Sequence, residues 1–456
     1  MRILVCFLVS LLALASCANR AMHSVSLYDK GDYSGAARAA DEGLAQHPDD
    51  DGLWGMRIRA ALALGDADGV AKAYETYVSH RGDVDKELLR DLATATLGQA
   101  LASPSARLKV AAIDAAAEIK IEALSAEVIE RLGDEDDRVA ASAAIAVLKS
   151  HPQAPQIADE MLRSENAEAR RIAVDGVGKK VGKLAVADLE KAGSDHDARV
   201  RRVAIYWLGM IKDTDAVELL TKRLRDPDDS VRAASAHALA QIGIGNLEAL
   251  GKQALKDHSL AVKLAGIELI AAAHREDEVV ALASDPDPMV AVQAAITVKR
   301  PDLGARAIER AIAAEDWTVR AGAANLLVQA VGTTAALPIA RNLTNDKELA
   351  VRLAAARVLA HDGDPETAKR VFAAALETPD HGVQAAADLA ALGDPSGARA
   401  LSSFVRDLKT TPEQRASAAS AHRTAHKVTP GLVAALADPN GLVRVEAAAA
   451  LGMLSK

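Results

Sequence analysis

The chain has 456 residues, 50% of them hydrophobic and 26% charged, with a formal net charge of −9. That composition supports a large buried core and excludes a disordered chain, and its acidity gives no basic footprint for nucleic acid. An aromatic content of 2% argues against most sandwiches and barrels and suits Ala-rich helices packed at close range.

Arg2 supplies a minimal positive start, residues 3–14 are apolar-rich, and Leu14-Ala15-Ser16-Cys17 closes the segment. The apolar run is too short for a permanent transmembrane helix and reads as a signal sequence. Its ending resembles the lipobox of bacterial lipoproteins. The resemblance implies that residues 1–16 are removed, that Cys17 carries lipid, and that the protein is held on a membrane by that anchor. Ala18 in place of an acidic residue implies an outer-membrane lipoprotein facing the periplasm. An ordinary secretory signal cut near Ala18 is the alternative. Of the two cysteines, Cys6 and Cys17, cleavage before Cys17 removes Cys6 and leaves Cys17 alone, so no internal disulfide is expected in the mature chain.

Residues 17–103 have their own text. Gly31-Asp32-Tyr33 runs to His47-Pro48, and Gly65-Asp66 repeats the turn after about 34 residues, followed by Val70, Ala71, Ala73, Tyr74 and Tyr77 at helical spacing. The period, with Gly at the turn and Tyr soon after, resembles tetratricopeptide repeats. The second copy has Ala67 where Tyr33 sits, and it has no closing proline. Tyr28, Tyr33, Trp54, Tyr74 and Tyr77 make this the aromatic-rich part of the chain, and the composition changes near residues 83–103. Packing between helices accounts for these rings better than a ligand cage.

From residue 104 to 456 the period is about 31. Leu108, Val139, Ala169, Val200, Val231, Val262, Val290, Val319, Val351, Val383, Ala416 and Val443 share one column, which gives about twelve repeats, the last a single helix. The text Asp226-Pro227-Asp228-Asp229-Ser230-Val231-Arg232 shows the pattern best: a turn, an Asp N-cap and the start of an amphipathic helix. Asp364-Pro365 and Asp394-Pro395 open second helices with a cap and a proline at the first helical position. Neither helix of a repeat can bury its apolar stripe alone, so the fold class predicted is all-α, an α-solenoid in which helical hairpins wind into a right-handed superhelix.

Asp and Arg or Lys recur six positions apart at Asp195/Arg201, Asp226/Arg232, Asp257/Lys263, Asp346/Arg352 and Asp438/Arg444. This spacing resembles the HEAT repeat in the short form named after phycobilisome lyases. The resemblance implies an Asp–Arg ladder between neighbouring repeats, in which a guanidinium meets a turn carboxylate and free carbonyls. The base is missing at Ala291, Gln384 and Ser417.

Catalytic signatures such as HExxH, CxxC, GxSxG and the P-loop are absent from the text. Gly176-Val177-Gly178-Lys179-Lys180-Val181-Gly182-Lys183 has the wrong spacing for a phosphate loop and reads as one helix closing and the next opening. The chain also has no His-Glu pair of the kind that binds iron in the HEAT-like deoxyhypusine hydroxylases. Asp195-His196-Asp197, Asp257-His258 and Asp380-His381 fall at equivalent turns, about 10 Å apart per repeat, so they read as caps and not as a shared metal site. No cofactor and no metal is expected.

Three features point to a partner. Second helices carry Lys222, Arg225, Arg341, Lys369 and Arg370 among other bases, either complementing helix C-termini or forming a basic strip on a binding face. Trp317 replaces a polar turn residue where burial is least expected. The last helix, Gly441 to Leu454, is followed only by Ser455 and Lys456 and carries little polarity on residues 447–454. Either another molecule completes that end, through end-to-end contact with a second copy or a partner, or Lys456 caps it in part. The function expected is that of a lipid-anchored, non-catalytic scaffold or adaptor binding an unidentified protein or peptide. A lyase or metal-dependent oxygenase on the same repeat is the alternative.

Overall fold

The computed structural model describes residues 21–456. Every regular element among them is helical, and consecutive hairpins make an all-α solenoid. Cys17 and the lipobox lie outside the described residues. No described helix is long and apolar enough to cross a membrane. The chain forms two compact units, one of residues up to Glu127 together with Leu376–Lys456, the other Val128–Ala375. The units divide at Val128 and at Leu376.

In the unit Val128–Ala375, long first helices alternate with shorter second helices. Ala167–Lys180, Ala198–Ile211, Asp229–Ile242 and Leu260–Ala272 lie side by side; Val217–Arg223 packs against Asp229–Ile242, and Leu247–Ala254 packs chiefly against Leu260–Ala272. Local sequence sets each start. Asp228 accepts hydrogen bonds from the N–H groups of Ser230 and Val231 at 3.0 and 3.2 Å, and Gly243 closes the same helix in the left-handed region at φ 78°. Between the layers Ile205, Leu208, Leu220, Leu239 and Ile267 are fully buried. Each such side chain contributes about 1.5–3 kcal/mol, which outweighs what a seven-residue helix could supply by propensity.

Close approach within this unit depends on Gly176 and Gly178. A Cβ on Gly176 would lie 2.4 Å from the side chain of Ile145, and one on Gly178 would lie 2.3 Å from Trp207. Both glycines sit inside the helix Ala167–Lys180. This corrects their reading as helix-closing residues: they are the flat places on which the preceding and following repeats rest.

The other unit joins the first and last parts of the chain. Its N-terminal hairpins are capped by Asp32, Asp50, Asp66 and Asp85, each accepting from a backbone N–H three residues on. Trp54, Tyr74 and Tyr77 are buried between these helices; Trp54 Nε1 donates to the Pro48 carbonyl at 2.7 Å and Tyr77 Oη to Asp85 at 2.6 Å. The final helix Gly441–Leu454 packs against Lys86–Leu101 and Ala106–Ile119. Leu108 lies over Gly441 and Ile119 over Gly452, where any Cβ would overlap them. Arg423 pairs with Glu118 at 3.2 Å and Glu446 at 2.9 Å, Arg90 reaches the Ser455 carbonyl at 3.4 Å, and Arg406 pairs with Asp68. Leu451 is 0% exposed. The expectation of an open C-terminal end is thus corrected. The chain's own N-terminal helices pack on it, burying Val443, Ala447 and Leu451.

Candidate interaction surface

The polar framework is built at the turns. Arg201 places Nε and Nη2 on both carboxylate oxygens of Asp226, at 2.9 and 2.6 Å, while Nη1 donates to the carbonyls of Asp195 and His196 at 2.8 and 3.0 Å. Arg232 repeats this one repeat on, with Asp257 at 2.8 and 2.9 Å and the carbonyls of Asp226 and Pro227. Each guanidinium therefore serves two turns: the carbonyls of its own and the carboxylate of the next. The Asp six residues before Arg201 or Arg232 supplies its carboxylate to the preceding repeat's arginine and its carbonyl to the arginine of its own repeat. Its carboxylate also receives the N–H two residues on, as in Asp226 from Asp228 at 3.1 Å. Hydrogen bonds from Arg232 hold the Asp257 carboxyl below the usual carboxylate range, and those from Arg320 do the same to Asp346.

That geometry explains members the six-residue spacing does not reveal. Arg170 pairs with Asp195 at 2.7 and 2.8 Å and takes the carbonyl of Ser164. Arg320 pairs with Asp346 at 2.8 and 2.9 Å and takes the carbonyl of Ala314. Because only a carbonyl is needed six residues back, Ser and Ala serve there as well as Asp. The readable signal is an N-cap residue followed four positions later by Arg: Asn166/Arg170, Asp316/Arg320, Thr411/Arg415. In the last of these Arg415 pairs with Asp438 at 2.7 and 3.1 Å. The base read as missing at Ser417 is present two residues earlier, because the long Asp407–Thr411 turn shifts the column.

Elsewhere the ladder changes. Arg352 and Arg444 use Nη1 on the carbonyls of Asp346 and Lys347, and of Asp438 and Pro439. Lys263, a point charge, stands 3.7 Å from Asp287, the N-cap of the next first helix. At the next repeat, where Ala291 replaces the base, Arg310 comes from the second helix and donates to the Asp285 carbonyl at 2.8 Å.

The basic residues of the second helices meet carboxylates of the same surface. Arg341 pairs with Asp364 at 2.7 Å, Lys369 with Glu366 at 2.8 Å, and Lys252 with Glu248 and Glu278 at 2.6 and 3.0 Å. Arg370 donates to Thr367 Oγ1 at 3.0 Å, and Lys222 and Arg225 are exposed. A continuous strip of free cations is therefore replaced by local pairs, with Lys222 and Arg225 standing apart. Among the described residues, no group of three or more His, Cys, Asp or Glu is placed to hold a metal ion.

Exposed apolar groups are the stronger feature. Trp317 opens the helix Trp317–Val331 and is 45% exposed. Tyr206 and Met210, one turn apart on Ala198–Ile211, are 47% and 50% exposed. Beside them Trp207 stacks edge-on with Tyr206 at 5.2 Å and donates from Nε1 to Asp175 of the preceding first helix at 2.9 Å. Tyr206 and Trp207 carry no periodic signal; their adjacency on Ala198–Ile211 was their only mark in the sequence.

The family model for HEAT repeats matches residues 154–240 and 304–393. Those two stretches carry HEAT repeats. The rungs Arg170–Asp195, Arg201–Asp226 and Arg320–Asp346 lie within these HEAT repeats, as do Tyr206 and Trp317. Among solved structures, a chain from the complex of CpcE and CpcF of phycocyanin lyase from Nostoc is similar at 24% identity and TM-score 0.31, covering 49% of this chain and 95% of that one. An engineered protein is similar at 18% identity and TM-score 0.28, covering 84% and 96%. Human deoxyhypusine hydroxylase in complex with glycerol is similar at 20% identity and TM-score 0.27, covering 67% and 99%. No curated protein matches the sequence.

Proposed function

We propose that this helical-repeat protein is a lipid-anchored scaffold or adaptor of the bacterial cell envelope, facing the periplasm and binding a protein or peptide through its HEAT-repeat surface. The observation that carries the reading is the exposure of Tyr206, Met210 and Trp317 on first helices whose turns are braced by the ladder. In a chain with 2% aromatics, large apolar side chains left in water on a rigid frame are suited to burial against a partner. The anchor rests on Leu14-Ala15-Ser16-Cys17, the outer-membrane address on Ala18, and a tetratricopeptide-like base on the Gly31-Asp32 and Gly65-Asp66 turns.

Proximity labelling in cells, comparing the parent with a Tyr206→Ser, Met210→Ser, Trp317→Ala variant, tests the surface. The expected result is loss of a defined set of labelled proteins at equal protein level. An unchanged set overturns it. For the anchor, Cys17→Ser should abolish palmitate labelling and release the protein from the membrane fraction, and retained labelling would refute the lipoprotein assignment.

A further inference from the structure

Within the unit Val128–Ala375, one edge gathers the C-terminal ends of three successive first helices. Lys180 Nζ donates to the carbonyls of Ile145 and, at 3.1 Å, Ala146, so the end of Ala167–Lys180 is strapped to the end of Asp137–Ala146. Lys149 follows on the first of these ends, Lys179 and Lys183 flank the second, and Lys212 caps the third, Ala198–Ile211, in the left-handed region at φ 57°. The third end is held alongside by Trp207 seated on Gly178 and by contact of Gly182–Ala185 with Ala198–Ile211. Lys149, Lys179, Lys183 and Lys212 are exposed, and their ammonium groups reach no carboxylate among the described residues.

Helix ends attract cations through the macrodipole, and Lys180 meets that need by direct hydrogen bonds. The other four lysines add charge beyond it, in a chain whose net charge is −9. Asp175 accepts from Trp207, while Glu190, raised by burial and by the nearby Asp213 and Asp215, clusters with those acids beyond Lys212. Next to Lys183, Leu184 is 90% exposed on the short turn Gly182–Ala185, with Val181 in the same stretch at 36%.

We propose that this edge docks on the surface of a membrane containing anionic lipids. The lysines meet lipid phosphates while Leu184 and Val181 enter the shallow hydrocarbon boundary between headgroups. Charge complementarity selects an anionic occupant. The exposure of Leu184 selects a lipid layer over an acidic peptide, since so open a side chain has no pocket wall around it to hold a peptide residue. This reading does not depend on lipid at Cys17.

The test is co-sedimentation of the chain from residue 18 onward, which contains every described element, with phosphatidylglycerol-rich vesicles and with pure phosphatidylcholine vesicles. Binding should appear only with the anionic vesicles and fall as salt is raised. Lys179→Glu with Lys183→Glu should lower partitioning at least about tenfold. Leu184→Ser should lower it several-fold without changing the salt dependence. All these sites are exposed, so circular dichroism and melting should match the parent. Equal partitioning of the charge-reversed protein, or of the parent onto neutral vesicles, overturns the proposal. Tight binding of polyglutamate that is indifferent to Leu184→Ser, with no vesicle binding, also overturns it and assigns the edge to an acidic polypeptide.

Discussion

The two units are braced in different ways. In Val128–Ala375 the polar links run between turns 25 or 26 residues apart, as in Arg201–Asp226 and Arg320–Asp346. In the other unit the links from the last repeats to the first helices span 305 residues for Arg423–Glu118 and 365 for Arg90–Ser455. The first arrangement gives nearest-neighbour stability, in which damage to one turn is felt by the repeats beside it. The second ties distant segments into one cooperative body, at the entropic cost of closing a long loop, a cost that rises only slowly with length.

Leu451→Lys should have the largest effect, because it removes a fully buried side chain and inserts a charge between the final helix and its N-terminal cover. A loss of about 4 kcal/mol or more is expected. Hydrogen exchange should then show weakened protection in Lys86–Leu101 and Ala106–Ile119 as well as in Gly441–Leu454. Exchange confined to the last helix would remove the long-range tie from the account.

Arg232→Ala comes next, at about 3 kcal/mol, since it strands a largely buried Asp257 carboxylate and the carbonyls of Asp226 and Pro227. Here the faster exchange should stay within the repeats flanking residues 226–257. Weakening spread evenly over the unit would show that the rungs do not act locally.

Acid should separate the units. His422 is fully buried, Nδ1 donating to the Ala418 carbonyl and Nε2 accepting from Thr429, and burial lowers its pKa below 6.5. A base whose folded pKa is depressed contributes stability that is complete above its unfolded pKa and declines as pH falls below it. The unit of chain ends should therefore begin to weaken as pH drops below about 6.5. The ladder unit should hold until lower pH, because Asp257 and Asp346, depressed by their arginines from 3.8, protonate only there. Exchange-detected melting of each unit from neutral pH downward measures this, and simultaneous loss would contradict it.

The smallest effect is a gain. Ala291→Arg with Ala314→Asp supplies the absent rung and should raise the stability of the surrounding repeats by about 0.5–1 kcal/mol. A lower denaturation midpoint would mean that Arg310 on the Asp285 carbonyl already completes that turn.

Much of this molecule follows from local chemistry. Caps such as Asp228, the left-handed Gly243, the prolines at residues 365 and 395 and the apolar stripes each act within one helix, so the sequence by itself determines a repeating all-α chain. The bases at 201 and 232 were legible for the same reason, because the Asp beside each recurs at fixed spacing. Arg170 and Arg415 were not, since the atom each needs six or five residues back is a backbone carbonyl, which any residue supplies. Only the tertiary structure decided that Trp207 rests on Gly178, that the cations of the second helices face carboxylates, and that the final helix is covered by the first ones. Those outcomes depend on how one repeat is displaced against the next and on where a long chain returns, and neither is encoded in the periodicity of a single helix.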